Sequence, residues 1–178
     1  MEFLPGELYH VYNRGNNSQK IFYTNSNYIF FLQKVRKELT PFCEILAYCL
    51  MPNHYHFLIF VKPIELEKNV IMHPLSRKIG TLQSSYCQAI NLQENKKGSL
   101  FQQKAKSKHL GNYGFTCFHY IHQNPVKAKL CNKMEDWEFS SFQDYYALRE
   151  GRLPNKQLSY DLLEYLENDS SSMINPML

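Results

Sequence analysis

Two apolar runs, Cys43 to Leu50 and His54 to Val61, are separated only by Met51–Pro52–Asn53. That spacing folds as an antiparallel hairpin with a tight connection, and it fixes the middle of the chain. Amphipathic patterns lie on both sides of it. Upstream, Tyr28, Phe31, Leu32, Val35 and Leu39 recur at helical spacing, Asn25 and Ser26 offer N-caps, and Pro41 closes the helix. Downstream, Ile79, Leu82, Tyr86, Ala89 and Ile90 predict a second helix from Leu75 to about Leu92. A β-rich run, Leu8 to Tyr12, precedes the first helix and breaks at Asn13–Arg14–Gly15–Asn16–Asn17, which is turn chemistry. Ser99 to Leu110 is the expected fourth strand. The order β-α-β-β-α-β is the ferredoxin-like α+β arrangement, with one antiparallel sheet, both helices on one face and the other face free for a ligand.

Beyond this core the expected elements are shorter. A third helix should run from about Tyr113 to Asn124 and stop before Pro125, since the residue before a proline is biased away from helical geometry. A short helix follows Ser140–Ser141, a small final one covers Leu158 to Leu166, and the tail from Ser170 onward is expected to fray. Pro63 to about Pro74 reads as a loop. The organisation expected is one domain over residues 1–150 and a C-terminal extension over 151–178.

Composition narrows the function classes. A 44% hydrophobic fraction supports a core, and a net charge of +4 permits nucleic-acid binding without demanding it. Lys96, Lys97, Lys104, Lys106, Lys108 and His109 crowd one stretch, with Lys127 and Lys129 close behind; a solvated face is the plain alternative. The cysteine count is odd, at five, and no CxxC spacing occurs, which argues against a disulfide framework and a zinc knuckle. No signal peptide or membrane-length apolar stretch is visible, so the expected setting is reduced and cytoplasmic.

His54 and His56 lie two apart, so a strand places both imidazoles on one face, where they can share a divalent metal and leave positions open for chemistry. Tyr55 should then point into the core. Histidines at strand ends without any metal are the common alternative. Tyr120 and Asn124 lie four apart in the third helix and share a face, so a phenol and an amide oxygen can address one place. Tyr113 lies on that face too and is the rival nucleophile. His122 and Gln123 face elsewhere on an ideal helix but compete with Asn124 as a third ligand if the last turn distorts.

These residues carry a resemblance. Tyr48–Cys49–Leu50–Met51–Pro52–Asn53–His54–Tyr55–His56–Phe57–Leu58 resembles the metal-binding motif of the HUH single-strand DNA transposases, of the IS200-like superfamily. Tyr120–Ile121–His122–Gln123–Asn124–Pro125–Val126–Lys127–Ala128 is similar to the tyrosine helix of their REP-associated branch, the RAYT proteins. Tyr9–His10–Val11–Tyr12–Asn13–Arg14–Gly15, Gly98–Ser99–Leu100–Phe101–Gln102 and Trp137–Glu138–Phe139–Ser140–Ser141 also match, in family order.

The resemblance implies a ferredoxin-like catalytic domain that binds Mg²⁺ or Mn²⁺ and acts on hairpin-forming single-stranded DNA. Tyr120 would be the nucleophile, leaving a 5′-phosphotyrosine link and a free 3′-hydroxyl. His54 and His56 would be ligands, with Asn124 the third. Such enzymes work as monomers or as homodimers. Arg14, Lys104, Lys106 and Lys108 are candidate phosphate contacts, and Tyr12 and Phe101 can stack bases or pack the core. The rivals are a non-catalytic hairpin-binding regulator on the same fold, an RRM-like RNA-binding sheet and, last, a zinc hydrolase.

Overall fold

A computed structural model describes residues 2–64 and 73–170, with the side chains of 164–170 left aside. The chain runs β1 (Leu8–Arg14), α1 (Asn25–Leu39), β2 (Cys43–Met51), β3 (His54–Val61), α2 (Leu75–Gln93), β4 (Lys106–His109), α3 (Gly114–Lys127), α4 (Phe142–Tyr145) and α5 (Lys156–Ser170), with single 3₁₀ turns between. The strands form one antiparallel sheet in the order β2-β3-β1-β4, which is the ferredoxin-like topology. Most of the expected loop from Pro63 to Pro74 and the tail beyond Ser170 lie outside the described residues.

Strand alternation builds two cores. Tyr55, Phe57, Ile59 and Val61 of β3 join Tyr9 and Val11 of β1 under α1 and α2, packed against Phe31, Val35, Ile79, Leu82 and Tyr86. The opposite parity, Leu58 and Phe60 with Leu8, packs on Cys117 and Ile121 of α3 and Leu163 of α5. The face expected to be free is therefore half covered. α3 and α5 lie over the β2 side because both faces of β2 are apolar and need burial. Among the described residues the β1 and β4 side stays open. A bulge in β2 switches its parity: Ile45 pairs with Ile59 and Ala47 with Leu58, so Leu46 is an extra residue. Leu46 and Ala47 both turn toward α3, and Tyr48 and Leu50 return to the α1–α2 side.

Four further expectations are corrected. α1 is capped from Thr24 rather than from Asn25 or Ser26, because Asn27 Oδ1 accepts from the Tyr23 and Thr24 amides. The fourth strand is only Lys106–His109. Upstream of it Leu100, Phe101 and Ala105 turn into the core while Gln102 to Lys104 stay exposed, and Phe101 makes an isolated bridge to Gly15. Phe101 thus packs the core and is not a base-stacking surface. α3 continues through Pro125 to Lys127: Pro125 is buried with Ile121 and His122, and that packing outweighs the local bias against helix before proline. α5 is longer than the expected Leu158–Leu166, starting at Lys156, with Asn155 Oδ1 accepting from the Leu158 amide.

A strap over residues 137–149 covers the exposed edge of β2. The Phe139 carbonyl accepts from the Leu50 amide, Trp137 Nε1 donates to the Leu50 carbonyl, and Ser141 N donates to the Tyr48 carbonyl. Ser141 Oγ also accepts from the Tyr48 amide and lies 2.8 Å from His122 Nε2, tying α3 to the same edge. Beneath it Asp144 is fully buried and held by Arg149, Nε to Oδ1 at 2.7 Å and Nη2 to Oδ2 at 2.9 Å.

Candidate active site

His54 and His56 sit at the start of β3 with their side chains on the open face, while Tyr55 between them is buried and its hydroxyl accepts from Gln83 Nε2 at 2.7 Å. Antiparallel pairing sets Arg14 opposite His54 and Tyr12 opposite His56. Across the other edge of β1, Lys106 pairs with Tyr12 and Lys108 with His10. Directly paired residues share a face, so three histidines, an arginine, two lysines and a tyrosine arise from three neighbouring strands. The Pro52–Asn53 turn is braced from outside: its carbonyls accept from the amides of Ile21 and Gly15.

α3 closes the site from above. Tyr120 is 41% exposed, and its ring lies edge-on to His56 at 5.6 Å and to His10 at 5.9 Å. A cavity of about 400 Å³ is lined by Tyr12, Arg14, His54, His56, Lys106, Tyr120 and Asn124, among others. Asn124 Nδ2 donates to the Tyr120 carbonyl at 2.7 Å, which leaves its amide oxygen as the atom that could serve a cation. Lys127 Nζ lies 5.7 Å from the Tyr120 ring.

Of the candidates for a third ligand, Asn124 alone lines this cavity. His122 is 2% exposed and packed among Phe118, Phe142 and Tyr145, and Gln123 borders a separate groove with Val126 and Lys133. Tyr113, the rival nucleophile, lines an adjoining cavity of about 420 Å³ with Lys108, Leu110 and Thr116. Tyr12, His56 and Tyr120 form the wall between the two cavities. Among the proposed phosphate contacts, Arg14 and Lys106 reach the first cavity and Lys108 the second; Lys104 is exposed in the bend before β4 and lines neither.

The imidazoles are set up as neutral donors. Burial lowers His54 to about 4, helped by Arg14. Burial lowers His56 to about 2, with His10, His54 and Arg14 adding to it. Near pH 7 both therefore hold a free nitrogen lone pair. His54 Nδ1 lies 2.6 Å from Asn53 Oδ1, and His56 Nδ1 lies 2.8 Å from His10 Nε2, so Nε2 is the nitrogen left on each. Among the described residues no group of three His, Cys, Asp or Glu side chains is disposed to hold a metal ion. Two imidazoles and an amide oxygen, with positions open, suit a hexacoordinate divalent cation that keeps room for a phosphate oxygen.

His10 is the residue that sequence reasoning missed as a site member. It is 9% exposed, stacked on Tyr12 at 4.7 Å and edge to edge with His56, the two imidazole centroids 5.0 Å apart and their planes 22° from parallel. Its spacing resembles that of any strand histidine, and only the β1–β3 register brings it beside His56.

The chain matches a solved structure of a REP-associated tyrosine transposase bound to a REP hairpin, with a TM-score of 0.62, 18% identity and 83% of each chain covered. The two share one fold. No protein-family model matches this chain, and no curated protein matches it significantly. In this fold the elements that meet at the cavity are the central strand pair, the edge strand β4 and the helix laid across them. Among the described residues no helix is long and apolar enough to cross a membrane.

Proposed function

We propose that this protein is a metal-dependent tyrosine transposase that cleaves and rejoins hairpin-forming single-stranded DNA through a 5′-phosphotyrosine intermediate. The observation that carries this reading is the meeting of Tyr120 with His54, His56 and Asn124 around one cationic cavity. The likeness of fold to a transposase bound to a hairpin supports the choice of DNA partner.

Tyr120 Oη forms a bond to the scissile phosphorus and loses its proton. The bond from phosphorus to the 3′ oxygen breaks, and that oxygen leaves as a 3′-hydroxyl after taking up a proton. The 5′ phosphate stays esterified to Tyr120. Rejoining is the reverse, with a 3′-hydroxyl attacking the phosphotyrosine, so the bond energy is conserved and no ATP is consumed. His54, His56 and Asn124 would hold Mg²⁺ or Mn²⁺, which when bound neutralises charge on the phosphate oxygens and favours the phenolate. Lys127 adds positive charge beside the phenol. Arg14, Lys106 and Lys108 hold the flanking phosphates, which positions the strand without reading its sequence. Tyr12 and Tyr113 offer ring faces to unstacked bases. Tyr120 meets the histidines of its own chain, an arrangement compatible with attack in cis by a monomer or within each subunit of a homodimer.

The test is incubation with labelled single-stranded DNA carrying hairpin repeats from around its own gene, with Mn²⁺ or Mg²⁺. A protein–DNA adduct that survives denaturation, and is lost with chelator and in Tyr120→Phe, supports the reading. Tight binding with no adduct would replace it with the non-catalytic regulator.

A further inference from the structure

Both histidines of the pair have Nδ1 engaged, and the two partners differ in kind. His54 meets the side-chain oxygen of its neighbour Asn53 at 2.6 Å. His56 meets a second imidazole, His10 Nε2, at 2.8 Å, from another strand and from a position diagonal to it in the β1–β3 ladder. A neutral imidazole carries one proton and one lone pair. If His56 is to donate its Nε2 lone pair to a cation, its proton must sit on Nδ1. That N–H then points at His10 Nε2, which must be bare, so His10 carries its own proton on Nδ1.

We propose that His10 is a positioning residue for the metal site: it accepts a hydrogen bond from His56 Nδ1–H, and so selects the His56 tautomer and ring orientation that aim Nε2 into the cavity. This rests on the reading of His56 as a ligand. The packing agrees with the role. His10 is held between Tyr12, stacked at 4.7 Å, and the edge-on ring of Tyr120 at 5.9 Å, so it is fixed against the His56 ring and touches the nucleophile's ring as well. An acceptor on Nδ1 also makes a ligating imidazole more basic, and loss of such partners weakens metal binding by about 10- to 100-fold. An apolar residue at position 10 would leave the half-sealed Nδ1 of His56 without its partner and free the ring to flip.

The experiment compares the full chain with His10→Leu, which removes the acceptor, and His10→Gln, which keeps one. ¹⁵N chemical shifts report the His56 tautomer without metal, and calorimetric titration with Mn²⁺ reports affinity; thermal melts confirm folding. The expected result is His56 as the Nδ1–H form in wild type, a mixed tautomer with about 10- to 100-fold weaker Mn²⁺ binding in His10→Leu, and recovery of most of the affinity in His10→Gln. A wild-type His56 in the Nε2–H form overturns the proposal, as does a folded His10→Leu that binds Mn²⁺ like wild type. Wild type in the Nδ1–H form but without Mn²⁺ affinity would instead overturn the ligand reading on which the proposal rests. Should His10→Leu fail to fold, His10→Phe, which also lacks an acceptor but keeps a ring, takes its place beside Asn53→Ala: the His56 tautomer lost in His10→Phe and kept in Asn53→Ala supports His10 as its source, and any other result refutes it.

Discussion

Replacing Arg149 with Met breaks the ion pair that locks the strap onto β2. Asp144 is 0% exposed, and its two carboxylate oxygens take their close hydrogen bonds from Arg149, at 2.7 and 2.9 Å. The Tyr48 hydroxyl stands 3.4 Å from Oδ2, too far to compensate. Arg149 also donates to the carbonyls of Glu138 and Ser140, so its loss releases the strap on both sides of Asp144. Breaking a buried pair by removing one partner costs about 3–5 kcal/mol, because a charge stays buried without compensation. The Arg149 side chain is 32% exposed, so water reaches part of the gap and the lower end applies. Arg149→Met should therefore lose about 3 kcal/mol, a fall in Tm of roughly 6–12 °C for a chain of this size. Urea unfolding followed by circular dichroism measures it. Adding Asp144→Asn to Arg149→Met removes the stranded charge and should recover part of the loss. A loss below about 1 kcal/mol, or a further loss in the double variant, would refute the assignment of this stability to the buried carboxylate.

Three further outcomes follow from other places in the molecule. A Cβ on Gly15 would stand 2.1 Å from the Gln19 carbonyl oxygen, a backbone atom that cannot swing away, so Gly15→Ala should cost about 1–3 kcal/mol in urea unfolding by overpacking. Lys106→Ala and Lys108→Ala should each lower the slope of log affinity for single-stranded DNA against log salt by about one, with little change in sequence preference. Burial raises the Cys43 and Cys117 thiols to about 12 and pushes Cys49 up as well. The unfolded chain then ionises them first as pH rises past 9, so their stabilisation is complete below pH 9 and drains away toward 12. A thiol reagent at neutral pH should accordingly label Cys87 and Cys131, which are half-buried, and reach the other three only on unfolding.

The local elements were legible because each rests on a short-range pattern. Alternation around Tyr55 set the two histidines on one face, and the i, i+4 relation of Tyr120 to Asn124 set phenol and amide on another. Which of Asn124, His122 and Gln123 turns to the cavity depended on how α3 docks. Ser141 draws His122 away from it, and Ser141 belongs to a strap far along the chain. The extent of β4 misled in a similar way. Leu100 and Phe101 look like strand residues, and a core filled by side chains from β1, β3, α1 and α2 takes them out of the ladder.

The sequence by itself determined the hairpin, the amphipathic helices and the shared faces of positions 54 with 56 and 120 with 124, since periodicity and residue type are properties of neighbours along the chain. Only the tertiary structure decided the bulge at Leu46, the covering of half the sheet by α3 and α5, and the place of His10 beside His56. β2 is apolar on both faces, so alternation carries no mark of where its parity changes. A hydrogen bond between residues 46 positions apart exists once the strand register is set, and no local pattern encodes that register.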